Sequence, residues 1–322
     1  MSWGDSFHKL RSGAAAAYSA AISLTTMVFT KASSLATCAY DVATDPFVSP
    51  QTLDKRHPDR SFDGALVGLG KDGNCKPLTR KGQQITPETL AKAKQSAFRS
   101  SCCKANQKPD RTIFFTNGIW NDANGLCDSL KAINEKVGNN PSCPDTCVEV
   151  IGIFNATSGT VPDLMRAKKR YKLLKDANKD HQVPTDVERT PPIGTLTDVI
   201  ADESLSGEQV EIWGHSEGTA NVTTALYDAR NVVEGADGTM TGVSVNLFAN
   251  IAHIDPPNDI GEFQRFDNLN DPVQVLGESG RRDGAHSFRS GLPPPLGFPH
   301  GFVEHYLPEY VQTTDCSGKL KQ

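Results

Sequence analysis

From residue 111 onward, short apolar runs rich in β-branched and aromatic residues alternate with longer amphipathic stretches. Arg111 to Thr116 (RTIFFT) predicts a buried strand ending in Asn117-Gly118-Ile119, with a helix from Ala123 to Lys136 behind it. Cys147 to Phe154 (CVEVIGIF) predicts a second strand, and Pro162 to Asp176 a charged helix. After a Pro- and Thr-rich insertion and a short helix, Leu196 to Ala201, comes a third strand, Gln209 to Gly214, and then a helix from Glu217 to about Asn231. A fourth strand, Gly242 to Ile254, and a fifth, Glu262 to Phe266, precede a terminal helix, Tyr306 to Val311. Strands that alternate with helices form a mainly parallel sheet covered by helices on both faces, the α/β class.

Upstream the pattern is weaker. Residues 40–84 have no sustained period and read as an irregular arm. Thr86-Pro87-Glu88 then opens a helix running to about Lys104: Thr86 suits the N-cap, Pro87 the first turn, Glu88 the positive end of the dipole. Residues Gly13 to Thr30 are uncharged and follow His8, Lys9 and Arg11. Small residues come next, Ala32 to Ala39, so 1–39 resembles a secretory signal, with a packing helix the equal alternative. The expected division is 1–109, a helical and irregular extension, and 110–322, a catalytic domain.

Composition then narrows the setting. A net charge of −5 over 322 residues gives no electrostatic reason for a nucleic-acid partner. The one dense basic run, Arg166 to Lys172, reads as a solvated helix face in preference to a membrane- or anion-facing patch, so any membrane-surface contact would be transient. The eight cysteines lack the ligand spacing of a zinc site, so no metal is expected, and no cofactor either. Read as disulfides, they favour a periplasmic or secreted location over the cytoplasm.

The chemistry centres on Gly214-His215-Ser216-Glu217-Gly218. A G-x-S-x-G string carries weight only between a strand and a helix, and both flank it here. Such a turn exposes the serine hydroxyl above the sheet, with a helix N-terminus beneath to favour developing negative charge. Serine needs a base, and the base needs an orienting acid, expected in the order Ser, acid, His. His305 and His300 bracket Gly-Phe-Val-Glu before the terminal helix and are the first two candidates for the base, with His286 third. His215 adjoins the serine but should point away from it. Asp271, after the fifth strand, and Asp255, after the fourth, compete as the acid, and position favours Asp271. Oxyanion donors are expected at the amide of Glu217 and at Gly118 or Ile119.

TNGIWNDANG (116–125), VIGIFNATSG (150–159), IWGHSEG (212–218), NLNDPV (268–273) and HYLPEY (305–310) together resemble bacterial and phage α/β-hydrolases of the lipase type. Fungal triglyceride lipases and type VI secretion lipase effectors are more distant likenesses. The resemblance covers roughly residues 110–312 and implies an α/β-hydrolase-type sheet. It implies Ser216 as nucleophile, Asp271 as acid, Asn117-Gly118-Ile119 as the oxyanion loop and His305 as base, the last through an H-x4-Y spacing to Tyr310. It further implies an ester hydrolase acting through an acyl-enzyme on a lipid, phospholipid or other small ester. Glu217 departs from the family pattern, in which a small or apolar residue is usual. An acyltransferase of the same fold, or a non-catalytic binding protein that keeps it, are the alternatives.

Overall fold

A computed structural model of the chain describes residues 58–70, 72–104, 107–118, 122–156, 166, 169–170, 172–173, 187–251, 256–271, 285–291 and 300–321. The signal-like segment 1–39 lies outside them. Eight strands form one sheet in the order β2-β1-β4-β3-β5-β6-β7-β8. They are β1 (Leu66–Leu69), β2 (Cys75–Pro77), β3 (Arg111–Thr116), β4 (Val148–Ile153), β5 (Val210–His215), β6 (Val243–Phe248), β7 (Glu262–Asn268) and β8 (Ala285–Phe288). From β4 to β8 every pairing is parallel, whereas β1 runs antiparallel to both β2 and β4.

Among the described residues, the helices that accompany the sheet include α1 (Pro87–Ser96), α2 (Ala123–Ile133), α3 (Pro191–Leu205), α4 (Glu217–Gly235) and α5 (Leu307–Thr313). π-helical turns follow α2 at Asn134–Gly138 and precede α5 at Phe302–Tyr306. The strand period of two sorts the core into two layers. Phe114, Ile151, Ile212, Val245 and Leu247 face α1, α3 and α4. Ile113, Phe115, Val150, Trp213 and Phe248 face α2, the second π-turn and α5. Both faces are therefore dry, as a parallel sheet requires.

Three features depart from the sequence reading. The expected irregular arm contains β1 and β2, so residues assigned to the N-terminal extension complete the sheet; four residues are too few to show a period. Thr86 does cap α1, accepting from the Thr89 amide at 3.3 Å, but the helix stops at Ser96. There the chain turns extended, and the Phe98 amide donates to Leu69 O at the sheet edge. β8 was not anticipated, because Ala-His-Ser-Phe has neither alternation nor a β-branched residue.

Disulfides Cys75–Cys127, Cys103–Cys147 and Cys143–Cys316 are present, while Cys102 is a free, half-buried thiol. Among the described residues no helix is long and apolar enough to cross a membrane. The chain builds outward from β3 to β4 and then returns across it to β5. The ends of β3 and β5 thus border the topological switch point, where open α/β sheets bind ligands.

Candidate active site

Ser216 occupies that switch point, at the corner between β5 and α4. Its backbone has φ 55° and ψ −123°, a conformation a side-chain-bearing residue avoids at a cost of about 1–3 kcal/mol. The corner is held from several sides. Ser216 N donates to Phe248 O at 3.0 Å, while Ser216 O accepts from both the amide and the hydroxyl of Thr219, at 2.9 and 2.6 Å. The Thr219 hydroxyl in turn accepts from Ile251 N at 3.1 Å, joining the corner to the loop after β6.

Two glycines make the corner possible. A Cβ on Gly218 would stand 2.5 Å from Thr116 O and 2.9 Å from Asn117 O, so only glycine lets the β3 loop pass over the start of α4. A Cβ on Gly118 would stand 2.5 Å from Ser216 Cβ and 3.0 Å from its Oγ. The Gly118 backbone therefore lies directly against the serine, as an oxyanion loop must. Ile119 lies outside the described residues. The amide of Glu217 belongs to the first turn of α4, whose N–H groups lack intrahelical acceptors.

The loop is cross-braced. Asn155 N donates to Asn117 Oδ1 and Asn117 Nδ2 to Asn155 O, both at 2.9 Å. Asn155 Nδ2 continues to Glu217 Oε2 at 3.1 Å. Glu217, fully buried, also receives Arg166 Nε and Nη2 at 2.8 and 3.1 Å, with Arg170 Nη1 3.6 Å away. Burial opposes its charge, but Arg166, Arg170 and Asn155 outweigh it and hold the carboxyl below its ordinary range. The basic run thus has two sides: Lys169 and Lys172 are exposed, whereas Arg166 and Arg170 turn inward. The expected solvated face is half correct. The partner that draws the arginines in lies about fifty residues away, beyond the reach of local pattern.

Asp271 follows β7 and is 1% exposed. Asn268, fully buried, fixes this loop: its Oδ1 accepts from Ser290 N and Asn270 N, and its Nδ2 donates to Ser290 O. The Asp271 carboxylate meets His300, with Nδ1 2.7 Å from Oδ2, and the Tyr306 hydroxyl donates to the same oxygen at 2.5 Å. A carboxylate accepts only, so His300 Nδ1 is the donor in this contact and Nε2 is the ring nitrogen turned away from Asp271.

The histidine expected first is therefore not the one beside the acid. His305 Nδ1 lies 2.9 Å from Ser290 Oγ, and His286 pairs with Glu309 at 2.7 Å. Helical phase explains the exchange. Phe302, Tyr306 and Tyr310 fall four apart on one buried stripe, so His305 is rotated off that face by about 100°. Tyr310, the far end of the H-x4-Y spacing, accepts from Arg111 Nη2 at 2.8 Å at the opposite end of the strands. The aromatic spacing 302–306–310 was visible in the sequence and could have set this phase. Asp255 lies outside the described residues.

His215 closes the arrangement. Its Nε2 lies 2.9 Å from His300 O and its ring 4.8 Å from the His300 ring, which ties the residue before Ser216 to the histidine beside Asp271. Burial, reinforced by His300, pushes its pKa well below the usual value. The ring is neutral, and Nε2–H donates to the carbonyl.

A cleft of about 1430 Å3 opens at the other end of the strands, lined by Leu90, Lys94, Arg99, Glu149 and Glu203 among others. The ion pairs Lys94–Glu203 and Arg99–Glu149 line it, and none of the expected catalytic residues does. Size alone would nominate it as the site; none of its lining residues belongs to the cluster of Ser216, Asp271 and His300. Among the described residues no group of three His, Cys, Asp or Glu side chains could hold a metal ion. No family model, curated protein or solved structure matches the chain.

Proposed function

We propose that the chain is a serine ester hydrolase of the α/β-hydrolase type, with Ser216 as nucleophile, His300 as base and Asp271 as the acid that orients it. The observation that carries this reading is the 2.7 Å contact from His300 Nδ1 to Asp271 Oδ2, with the His300 carbonyl held by the neighbour of Ser216. His300 replaces His305 in the role that motif spacing suggested.

In this reading His300 Nε2 takes the Ser216 proton as Oγ attacks the ester carbonyl. The amide of Glu217 and the 118–119 loop receive the oxyanion. His300 then protonates the leaving alcohol, and a water activated the same way releases the acid. Two features of the site favour acyl transfer to water over binding alone: a strained, small-residue corner at the serine and a histidine whose Nδ1 meets a buried carboxylate. A lipid or phospholipid ester is the substrate class the sequence resemblance favours. Three disulfides favour an oxidising, exported setting.

The test is fluorophosphonate labelling alongside turnover of a panel of p-nitrophenyl esters and phospholipids. Labelling of the wild type and its loss in Ser216→Ala are expected. His300→Ala should lower turnover by about 10³-fold or more, while His305→Ala keeps most of it. The opposite ranking of the two histidines would return the base to His305.

A further inference from the structure

Tyr306 is buried and performs no step of the proposed chemistry, yet its hydroxyl reaches the acid itself. It donates to Asp271 Oδ2, the oxygen that also faces His300 Nδ1, at 2.5 Å against 2.7 Å for the histidine. Its ring is fixed by Phe288 at 5.4 Å and His215 at 5.7 Å, both nearly edge-on, and by Phe248 at 6.4 Å. The hydroxyl therefore has no freedom to leave the carboxylate.

We propose that Tyr306 is a positioning residue of this site: by sharing Oδ2 with His300 it fixes the carboxylate's orientation and draws off part of its charge. The inference rests on the reading of Asp271 and His300 as the acid and base. A carboxylate oxygen with two donors is a weaker partner for each than one with a single donor. Tyr306 thus keeps the imidazolium of His300 from being over-stabilised, so the base returns its proton to the leaving group readily.

The other ionisable groups around this contact are known. Asp267 on β7 faces Tyr306, and His215 on β5 faces His300. Glu304 and His305 share the π-turn with Tyr306, and Glu309 on α5 pairs with His286 on β8. Burial first, and then Asp271 and Asp267, push the Tyr306 hydroxyl well above its ordinary ionisation range. The phenol stays a donor across the range in which a histidine titrates.

The experiment measures kcat/KM and the fluorophosphonate labelling rate against pH. In Tyr306→Phe, Oδ2 loses a donor, the His300 imidazolium gains stability, and the acidic limb of both profiles moves up by about one pH unit. Site-specific 3-fluorotyrosine at 306, a stronger donor of nearly the same volume, should move the limb the other way and also serves if Tyr306→Phe does not fold. A limb that stays in place in both proteins, or that moves down in Tyr306→Phe, would reduce Tyr306 to a packing residue. His300→Ala separates the underlying reading: if it still labels at the wild-type rate, the acid–base pair itself is wrong, whatever Tyr306 does.

Discussion

The two flanks of the sheet are secured by different means. On the flank of β1, β2 and β4, Cys75–Cys127 fastens the edge strand to α2, and Cys103–Cys147 fastens the segment after α1 to the start of β4. On the flank of β6, β7 and β8 no disulfide reaches a strand among the described residues: Cys143–Cys316 ties the segment before β4 to the C-terminal tail, which meets β7 where Gln264 donates to Gly318 O, and Asn268 and Ser290 hold the loop that carries Asp271. The acid and the proposed base stand on the hydrogen-bonded flank. Covalent closure stabilises mainly by restricting the unfolded chain, whereas placing a carboxylate against an imidazole demands directional contacts. The chain separates the two needs in space.

The contrast is tested most severely at the centre, where Glu217 meets Arg166, Arg170 and Asn155. Glu217→Ala removes the buried carboxylate that Arg166 and Arg170 share and should cost about 3–5 kcal/mol in denaturant unfolding. The same group gives a pH signature. Its folded pKa lies below the ordinary 4.5, so its contribution is complete above that value and is lost as the pH falls through the folded one. Glu217→Gln should flatten that acid limb of stability; an unchanged limb would assign acid sensitivity to other groups.

On the covalent flank, Cys75→Ser with Cys127→Ser removes a closure spanning 52 residues and should lower stability by about 2–4 kcal/mol. Under the proposed function, ester turnover at 25 °C should stay within about twofold of the wild type, since none of Ser216, Asp271 and His300 belongs to the elements this disulfide joins. A large loss of turnover in the still-folded protein would break the comparison. Asn268→Ala should do the reverse: about 1–3 kcal/mol of stability, but about a hundredfold in turnover as Asp271 shifts. Equal losses on both scales would mean the loop is structural only. The smallest effect is expected from Cys102→Ser, within about 0.5 kcal/mol, because a hydroxyl can replace the thiol at Thr146 O.

Legibility in the sequence followed the range of the deciding interaction. β3, β5 and α4 announced themselves through local runs and glycine punctuation, and so did the turn at Ser216, although Phe248, Thr116 and Asn117 complete its corner from other strands. β1 and β8 did not, because four-residue strands are fixed by their neighbours rather than by their own pattern. Asp271 was expected from its place after a strand, and it lies against His300. His300 was ranked below His305 because their separation of five residues is resolved only by the phase of the turn between them, and that phase is set by Phe302, Tyr306 and Tyr310 entering the core. Glu217 looked like an anomaly for its motif; its arginines approach from a segment that no local signal connects to it.

The backbone at Ser216 also has a kinetic consequence. A φ of 55° at a serine persists only where the surroundings over-determine it, and here those surroundings are Phe248 from β6, the Thr116 and Asn117 carbonyls from β3, and Thr219 from α4. None of these constraints exists until the central strands have assembled in register. During refolding, helix and sheet signals should recover before the Ser216 corner matures, so under the proposed function esterase activity would lag behind them.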